Sequence, residues 1–435
     1  MIVGICVGSG IFFKVDNILR FTGGNVFLGA LVFIIGAFSI IFGSVSLSSL
    51  AMRTEKNGGM VAYFEDFYSN GIASAFGWFQ TFLYYPTIAV VVSWAAGIYT
   101  CLLFNLPDDL NIQMGIGFVY LVSFYLINIL SSKIGGHFQI ISSVIKLIPL
   151  LGIGLLAVFW KTPQPDIPAN IPTQPITNVG WGWLAALAPT AFSYDGWAIA
   201  LSISDEVEDS KKNMPLALIM GPIIVLVVYL AYFLGMNRIL GPEYIMSVGD
   251  GSIMTIGQML LGNSGRIIIL LFILIAMLGV VNGVVLGHIR MPYALATKDM
   301  MPFSGKIETL QDRRKYFTSS SLISFSISLF WFLMHYLTQY FGWMKTGDIS
   351  EIAIVFGYLF YMVLYIKVLQ LYVNKEIKSV FVGLIAPILA IIGGLIIVIG
   401  GVSSDPASMA IFFFICGLFC VGGYAFYTSR HKTLR

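Results

Sequence analysis

Solid apolar runs, each about long enough to cross a bilayer, repeat along the chain between short polar interruptions. The runs neither alternate residue by residue, as barrel strands do, nor show the narrow apolar stripe of surface helices. Cutting at charges, Pro/Gly clusters and Asn/Asp loops predicts twelve spans: 2–20, 26–52, 72–104, 112–130, 138–160, 183–204, 215–238, 266–288, 317–337, 349–368, 380–400 and 409–427. The Pro-rich stretch KTPQPDIPANIPTQP reads as an extended outer linker between two groups of five spans. The predicted organisation is therefore a first five-helix repeat (1–160), a linker (161–182), a second five-helix repeat (183–368), and two further helices with a tail (369–435).

Composition agrees with that pattern. Of 435 residues 58% are hydrophobic and 10% charged, and the mean hydropathy is +0.88, too apolar for a soluble core. Charge placement adds an orientation. With the N-terminus inside, 17 of the 24 basic residues fall on inner loops, which predicts a multi-pass cell-membrane protein with both termini cytoplasmic. No basic region precedes the first run, so no cleavable signal is expected. Cys6, Cys101, Cys416 and Cys420 sit in or beside apolar runs and read as small packing residues rather than disulfides. The four His are scattered, with no HExxH and no phosphate-binding loop, and no filter-like repeat appears. These features argue against an enzyme, a metal or cofactor site, a nucleic-acid partner and an ion channel, leaving the bilayer and a small solute as partners.

Two spans are broken by their own sequence. The first carries Gly8-Ser9-Gly10, with an outer half-helix predicted to start at Ile11; the sixth carries Ser193-Tyr194-Asp195-Gly196, after a half-helix ending near Phe192. Matching breaks in two halves point to an inverted-repeat transporter with a site near the midplane, because unwound backbone survives in a membrane only where it lines a cavity. A half-helix start offers N–H groups and a positive dipole end to a carboxylate; a half-helix end offers carbonyls to an ammonium. A site with both seats matches a zwitterionic amino acid. A second reading of Gly-Ser-Gly is a close-packing surface for a neighbouring helix.

Few ionisable groups fall inside spans. Lys146, in QIISSVIKLIPLLGI, shares a helical face with Gln139 and Ser143 and is a functional candidate bridging toward the first and eighth spans, with snorkelling to the inner surface as the alternative. Asp195 has three open roles: meeting a ligand ammonium, carrying a coupling proton, or neutralising Lys146. Asn282 is an interhelical hydrogen-bonding amide, coupling or structural. Phe192 is placed to cap the site, and Tyr229 to aim its hydroxyl at ligand or at Lys146; Tyr194, Trp197 and Tyr232 lie nearby.

With GSGIF, FSYDGWAIALSISDEVEDSKKNMPLAL, GVVNGVVLGHIRMPYALATKDMMP and KNGGMVAYF in view, the chain resembles the amino acid/polyamine/organocation superfamily, and within it a bacterial form of the L-type amino acid transporter family. The resemblance implies an all-α membrane fold of twelve helices: a five-plus-five inverted repeat with helices 1 and 6 unwound, plus two C-terminal helices. It implies sodium-independent exchange of amino acids by alternating access. It assigns the backbone of Val7, Gly8, Ser9 and Gly10 to the substrate carboxylate, that of Phe192, Ser193 and Asp195 to its amino group, Phe192 to an outer gate and Lys146 to sodium independence. Tyr229, or else Tyr232, corresponds to the functional tyrosine. The outer loop NLPDDLN lacks the cysteine that ties animal relatives to a heavy chain, so no covalent subunit is expected. Asp195 stands where several relatives carry a small residue, which bears on the charge of the substrate.

The expected function is antiport of small neutral amino acids such as alanine, serine or cysteine, with proton symport through Asp195 as the alternative. On this reading Lys146→Ala impairs transport while sparing the fold, and Gly10→Leu abolishes binding by blocking close approach to the backbone.

Overall fold

A computed structural model describes residues 2–54, 59–199, 209–307, 318–344 and 348–432. Parts of two motifs (56–58 and 200–208) and the loop cations Arg313, Arg314 and Lys315 lie outside the described residues. Among the described residues the regular structure is helical, and ten helices are long and apolar enough to cross a membrane. The helix Val26–Ala51 shows how: Asn25 caps it by accepting from the Leu28 N–H at 3.1 Å, and 26 residues span about 39 Å.

Position in the bundle follows burial. In the most apolar stretch of 70–104, 72% of residues are buried, against 17% in the last helix, so the former is central and the latter peripheral. Tyr85–Phe104, Ser252–Ala296 and Ile349–Val373 form much of the interior, while Phe159, Val158 and Phe414 stand exposed on the outside, as lipid-facing side chains do. Small residues set the closest approaches. A Cβ on Gly97 would fall 2.1 Å from the Gln113 carbonyl oxygen, so Tyr85–Phe104 and Leu110–Leu130 touch backbone to backbone.

Two predicted spans are interrupted in ways their prolines explain. The third predicted span contains a π-helical turn at Gln80–Tyr84. Pro86 has no N–H to give Phe82, and the Tyr85 N–H goes to Gln80, which frees two carbonyls. Trp331 Nε1 donates to Phe82 O at 2.5 Å and His288 Nε2 donates to Thr81 O at 2.8 Å, so both are satisfied. The fifth predicted span divides into Ser132–Ile145 and Leu147–Phe159 at Lys146, because Pro149 has no N–H to give the Ile145 carbonyl. The eighth predicted span belongs to a helix that begins after a break at Leu261–Gly262, where Gly262 takes φ +60°, and continues to Ala296.

The predicted linker is irregular over 161–179 and ends in a 3-10 turn, Gly180–Ala186. It is pinned across one end of the bundle: Thr177 N–H donates to Gly23 O at 2.9 Å and Gln174 N–H to Ser247 Oγ at 2.8 Å.

Candidate functional site between two helix breaks

The first predicted span is three pieces, Ile2–Cys6, Ser9–Phe13 and Val15–Phe21. Its break lies at Val7–Gly8, with Gly8 extended (φ −177°), and helix resumes at Ser9, earlier than Ile11. The second interruption, at Lys14, is a bend, because the Lys14 N–H still bonds Gly10 O at 3.1 Å and the Ile18 N–H bonds Lys14 O at 2.9 Å. The segment is thus a short leading arm (2–6) and a bent trailing arm (9–21). The sixth predicted span shows a helix Leu187–Tyr194, then extended Asp195 and Gly196 at φ +94°. This break comes two residues later than Phe192. Only glycine fits at 196, since a Cβ would also lie 2.4 Å from Ile5 Cγ2.

The two breaks face each other. A Cβ on Gly10 would lie 2.2 Å from Ser193 Cα, so the trailing arm and the end of Leu187–Tyr194 cross in backbone contact. Gly8 packs against the Val280 side chain, where a Cβ would lie 2.1 Å from Val280 Cγ2. Both glycines therefore serve helix packing as well, and a Gly10→Leu side chain would collide with Ser193 in addition to crowding the backbone. Tyr229 joins the breaks, its hydroxyl 2.6 Å from Cys6 O and 2.7 Å from Ser193 O, two carbonyls orphaned where the helices stop. It is aimed at backbone rather than at Lys146. Tyr232 instead packs edge-on against Phe12, with ring centroids 5.6 Å apart.

Lys146 is fully buried and donates its ammonium to Gly4 O in the leading arm. Among the described residues it makes no ion pair, so Asp195 does not neutralise it directly, and it does not snorkel. Gln139 Nε2 donates to the same carbonyl at 3.1 Å. Asn282 then donates to Gln139 Oε1 at 3.2 Å and to Gly135 O at 2.9 Å, while accepting from Asn128 Nδ2 at 3.0 Å. A run of amides thus connects Asn128 to the first break. Ser143, predicted to share the Lys146 stripe, lies against Gly4 and bonds back to Gln139 O at 2.5 Å.

A hollow of about 10 Å³ lies between the breaks, about the room one water needs. Cys6, Gly10, Phe192, Asp195, Val280 and Ile354 are among its walls. It is far smaller than an amino acid, so the hollow as it stands is closed to one. Asp195 is its only ionisable carboxylate, accepting from the Tyr84 hydroxyl at 2.6 Å. Ser193 has turned its hydroxyl to Pro189 O in its own helix, at 2.9 Å, leaving only its backbone toward the crossing. Of the predicted group, Val7, Gly8, Gly10, Phe192, Ser193, Asp195 and Tyr229 surround the breaks, whereas Lys146 and Asn282 hold the leading arm from beside it. The side chain of Ser9 lies outside the described residues.

Sequence reasoning missed Tyr84, whose signal is Pro86 in an otherwise continuous apolar run. It also missed the partners of Lys14, which is buried, with its ammonium 2.8 Å from Asp348 Oδ2 and 2.6 Å from Glu351 Oε1. The available signal was the DISE stretch, which reads as a helix cap: Asp348 Oδ1 accepts from Ser350 and Glu351 N–H groups at 2.9 and 3.3 Å.

Comparison with known proteins adds the family. The amino acid permease model matches residues 1–429. The chain is 27% identical over 429 residues to the serine/threonine exchanger SteT of Bacillus subtilis (strain 168), covering 98% of this chain and 92% of that one. It is 25% identical over 312 residues to the Asc-type amino acid transporter 1 of Homo sapiens, covering 69% of this chain and 58% of that protein. Against the b(0,+)-type amino acid transporter 1 of Mus musculus it is 21% identical over 438 residues, 98% of this chain and 85% of the other.

Proposed function

The chain belongs to the amino acid permease family, and from that premise we propose that it is a sodium-independent antiporter of small neutral amino acids, alanine, serine and cysteine among them. It is an amino acid transporter of the membrane, not an enzyme. The observation that carries the finer reading is the pair of facing helix breaks held together by Tyr229. On this reading the backbone at 7–10 receives the substrate carboxylate and that at 192–195 its ammonium, in a hollow that opens alternately to each side. Substrates of small side chain suit walls built from Val280, Ile354 and Phe192. Similarity to a serine/threonine exchanger supports exchange as the mode. Lys146 supports sodium independence, because its ammonium sits on a carbonyl of the leading arm, beside the first break, where a bound cation would otherwise serve.

The same proposal includes twelve spans in a five-plus-five inverted repeat followed by two helices, with the unit boundaries given above. It places the protein in the cell membrane with both termini cytoplasmic, and without a covalent heavy chain; Cys101, nearest the relevant loop, is buried.

Asp195 in the hollow favours one second reading, proton symport, since a carboxylate bonded to Tyr84 is a proton acceptor within reach of substrate. Proteoliposomes separate the two. Labelled serine should enter only when amino acid is present inside, with or without sodium and whatever the pH gradient. Equal uptake into empty vesicles driven by protons would replace antiport with symport.

A further inference from the structure

Three buried charges lie beyond the breaks, and the transport reading above does not use them. Lys14 sits at the bend of the trailing arm, and its two carboxylate partners lie at the start of Ile349–Val373. Its ammonium also stands 4.9 Å from the centroid of the Phe192 ring. Phe192 is thus shared: it forms a wall of the hollow and receives the ammonium on its ring. One cluster ties together the trailing arm, the Ile349–Val373 helix and the side chain between them and the hollow.

Stability does not require this arrangement, because apolar residues of similar volume usually hold a helix interface as well as a buried ion pair does. Charges offer something apolar contacts lack, which is comparable comfort in two environments. Closed and dry, Lys14 is compensated by Asp348 and Glu351; opened and wet, all three are compensated by water. Asp348 divides its oxygens accordingly, Oδ1 capping its own helix and Oδ2 meeting Lys14. Breaking the Lys14 contact therefore leaves the cap in place.

We propose that Lys14, Asp348 and Glu351 form an ionic latch that holds Phe192 over the hollow and closes it toward the side of the trailing arm, the outer side in the orientation above. The latch rests on the proposed transport function. Lys14 acts through Phe192 and through the two helices, as a positioning residue for closure rather than a substrate contact.

Cys6 lines the hollow and is buried in the closed form, which makes it a reporter. In a background of Cys101→Ser, Cys416→Ser and Cys420→Ser, intact cells would be treated from outside with a membrane-impermeant maleimide. Lys14→Met should speed Cys6 labelling by about tenfold or more, the scale expected when a buried pair loses one partner. Lys14→Arg, which restores the pairing, should label at close to the unmodified rate. Glu351→Gln keeps the Asp348 contact and should give a smaller increase in the same direction; it serves if Lys14→Met does not reach the membrane folded. Folded Lys14→Met or Glu351→Gln protein labelled at the unmodified rate would overturn the latch. Protection of Cys6 by serine is the separate check on the transport reading: its absence would sink the substrate site, while the variants' labelling rates decide the latch by themselves.

Discussion

The two arms of the first interrupted segment are fastened by opposite means. The leading arm is held through its backbone: Lys146 and Gln139 both donate to Gly4 O, and nothing in the arm's own side chains is required. The trailing arm is held through a side chain, Lys14, which meets two carboxylates. A hydrogen bond from a charged donor contributes about 1.5–3 kcal/mol, whereas breaking a buried ion pair by removing one partner costs about 3–5 kcal/mol. The difference teaches where each closure is specified. On the leading side the information lies in the partner helix, at 139 and 146; on the trailing side it lies in both partners, and either can be mutated to release it.

The largest effect should come from the trailing side. Lys14→Met should destabilise the detergent-purified protein by about 3–5 kcal/mol, because two carboxylates are left buried without their cation. Thermal unfolding measures this, and the triple variant Lys14→Met, Asp348→Asn, Glu351→Gln should regain much of the loss. A single variant as stable as the unmodified protein would mean that water already compensates the carboxylates.

Lys146→Ala comes next. It should reduce serine counterflow to near background while lowering stability by only about 1.5–3 kcal/mol, the scale of one charged hydrogen bond. Undiminished counterflow in that variant removes Lys146 from the mechanism and makes the leading arm's fastening purely architectural.

Tyr229→Phe tests the bridge between the breaks. Its hydroxyl serves both Cys6 O and Ser193 O, and leaving such groups unsatisfied costs about 1–3 kcal/mol. Exchange should fall roughly tenfold, a change of about 1.4 kcal/mol in barrier or binding, while Tyr232→Phe should change it little because the Tyr232 ring does its packing without its hydroxyl. The reverse ranking in a counterflow assay would move the functional tyrosine to 232.

What was legible in the sequence follows the same division. Both interruptions could be read because glycine beside polar residues is conspicuous in an apolar run, and Lys146 because an isolated cation there has no bland neighbour. The half-helix ends shifted by two residues, from Ile11 to Ser9 and from Phe192 to Tyr194, since the last turn of each half-helix is decided by tertiary bonds such as that from Tyr229 to Cys6 O. The pairing of Lys14 was illegible: it lies near a span's end in sequence, and its partners are more than 300 positions away. Tyr84 was illegible for a related reason, its aim being set by the π-helical turn before Pro86. Local pattern marks where a helix fails; it does not say what meets the failure.

Asn282→Ala should have the smallest effect and is the sharpest test of the leading side. Gln139 presents Nε2 to Gly4 O only while its Oε1 faces the Asn282 amide, so Asn282 fixes the orientation of a group it passes on. Removing it frees Gln139 to rotate and leaves Lys146 as the chief donor to the arm, a loss of about 0.5–1.5 kcal/mol for a neutral bond. Exchange should change by a few-fold at most, and Cys6 labelling from the trailing side should not change at all, because the Lys14–Asp348–Glu351 bonds lie on the other arm from these amides. Asn282→Asp should do more: a carboxylate against Gln139 Oε1 and Gly135 O forces the amide to turn over, withdrawing its N–H from Gly4. If the two substitutions are indistinguishable in counterflow, the amide run is packing, and Lys146 is the donor that matters at Gly4 O.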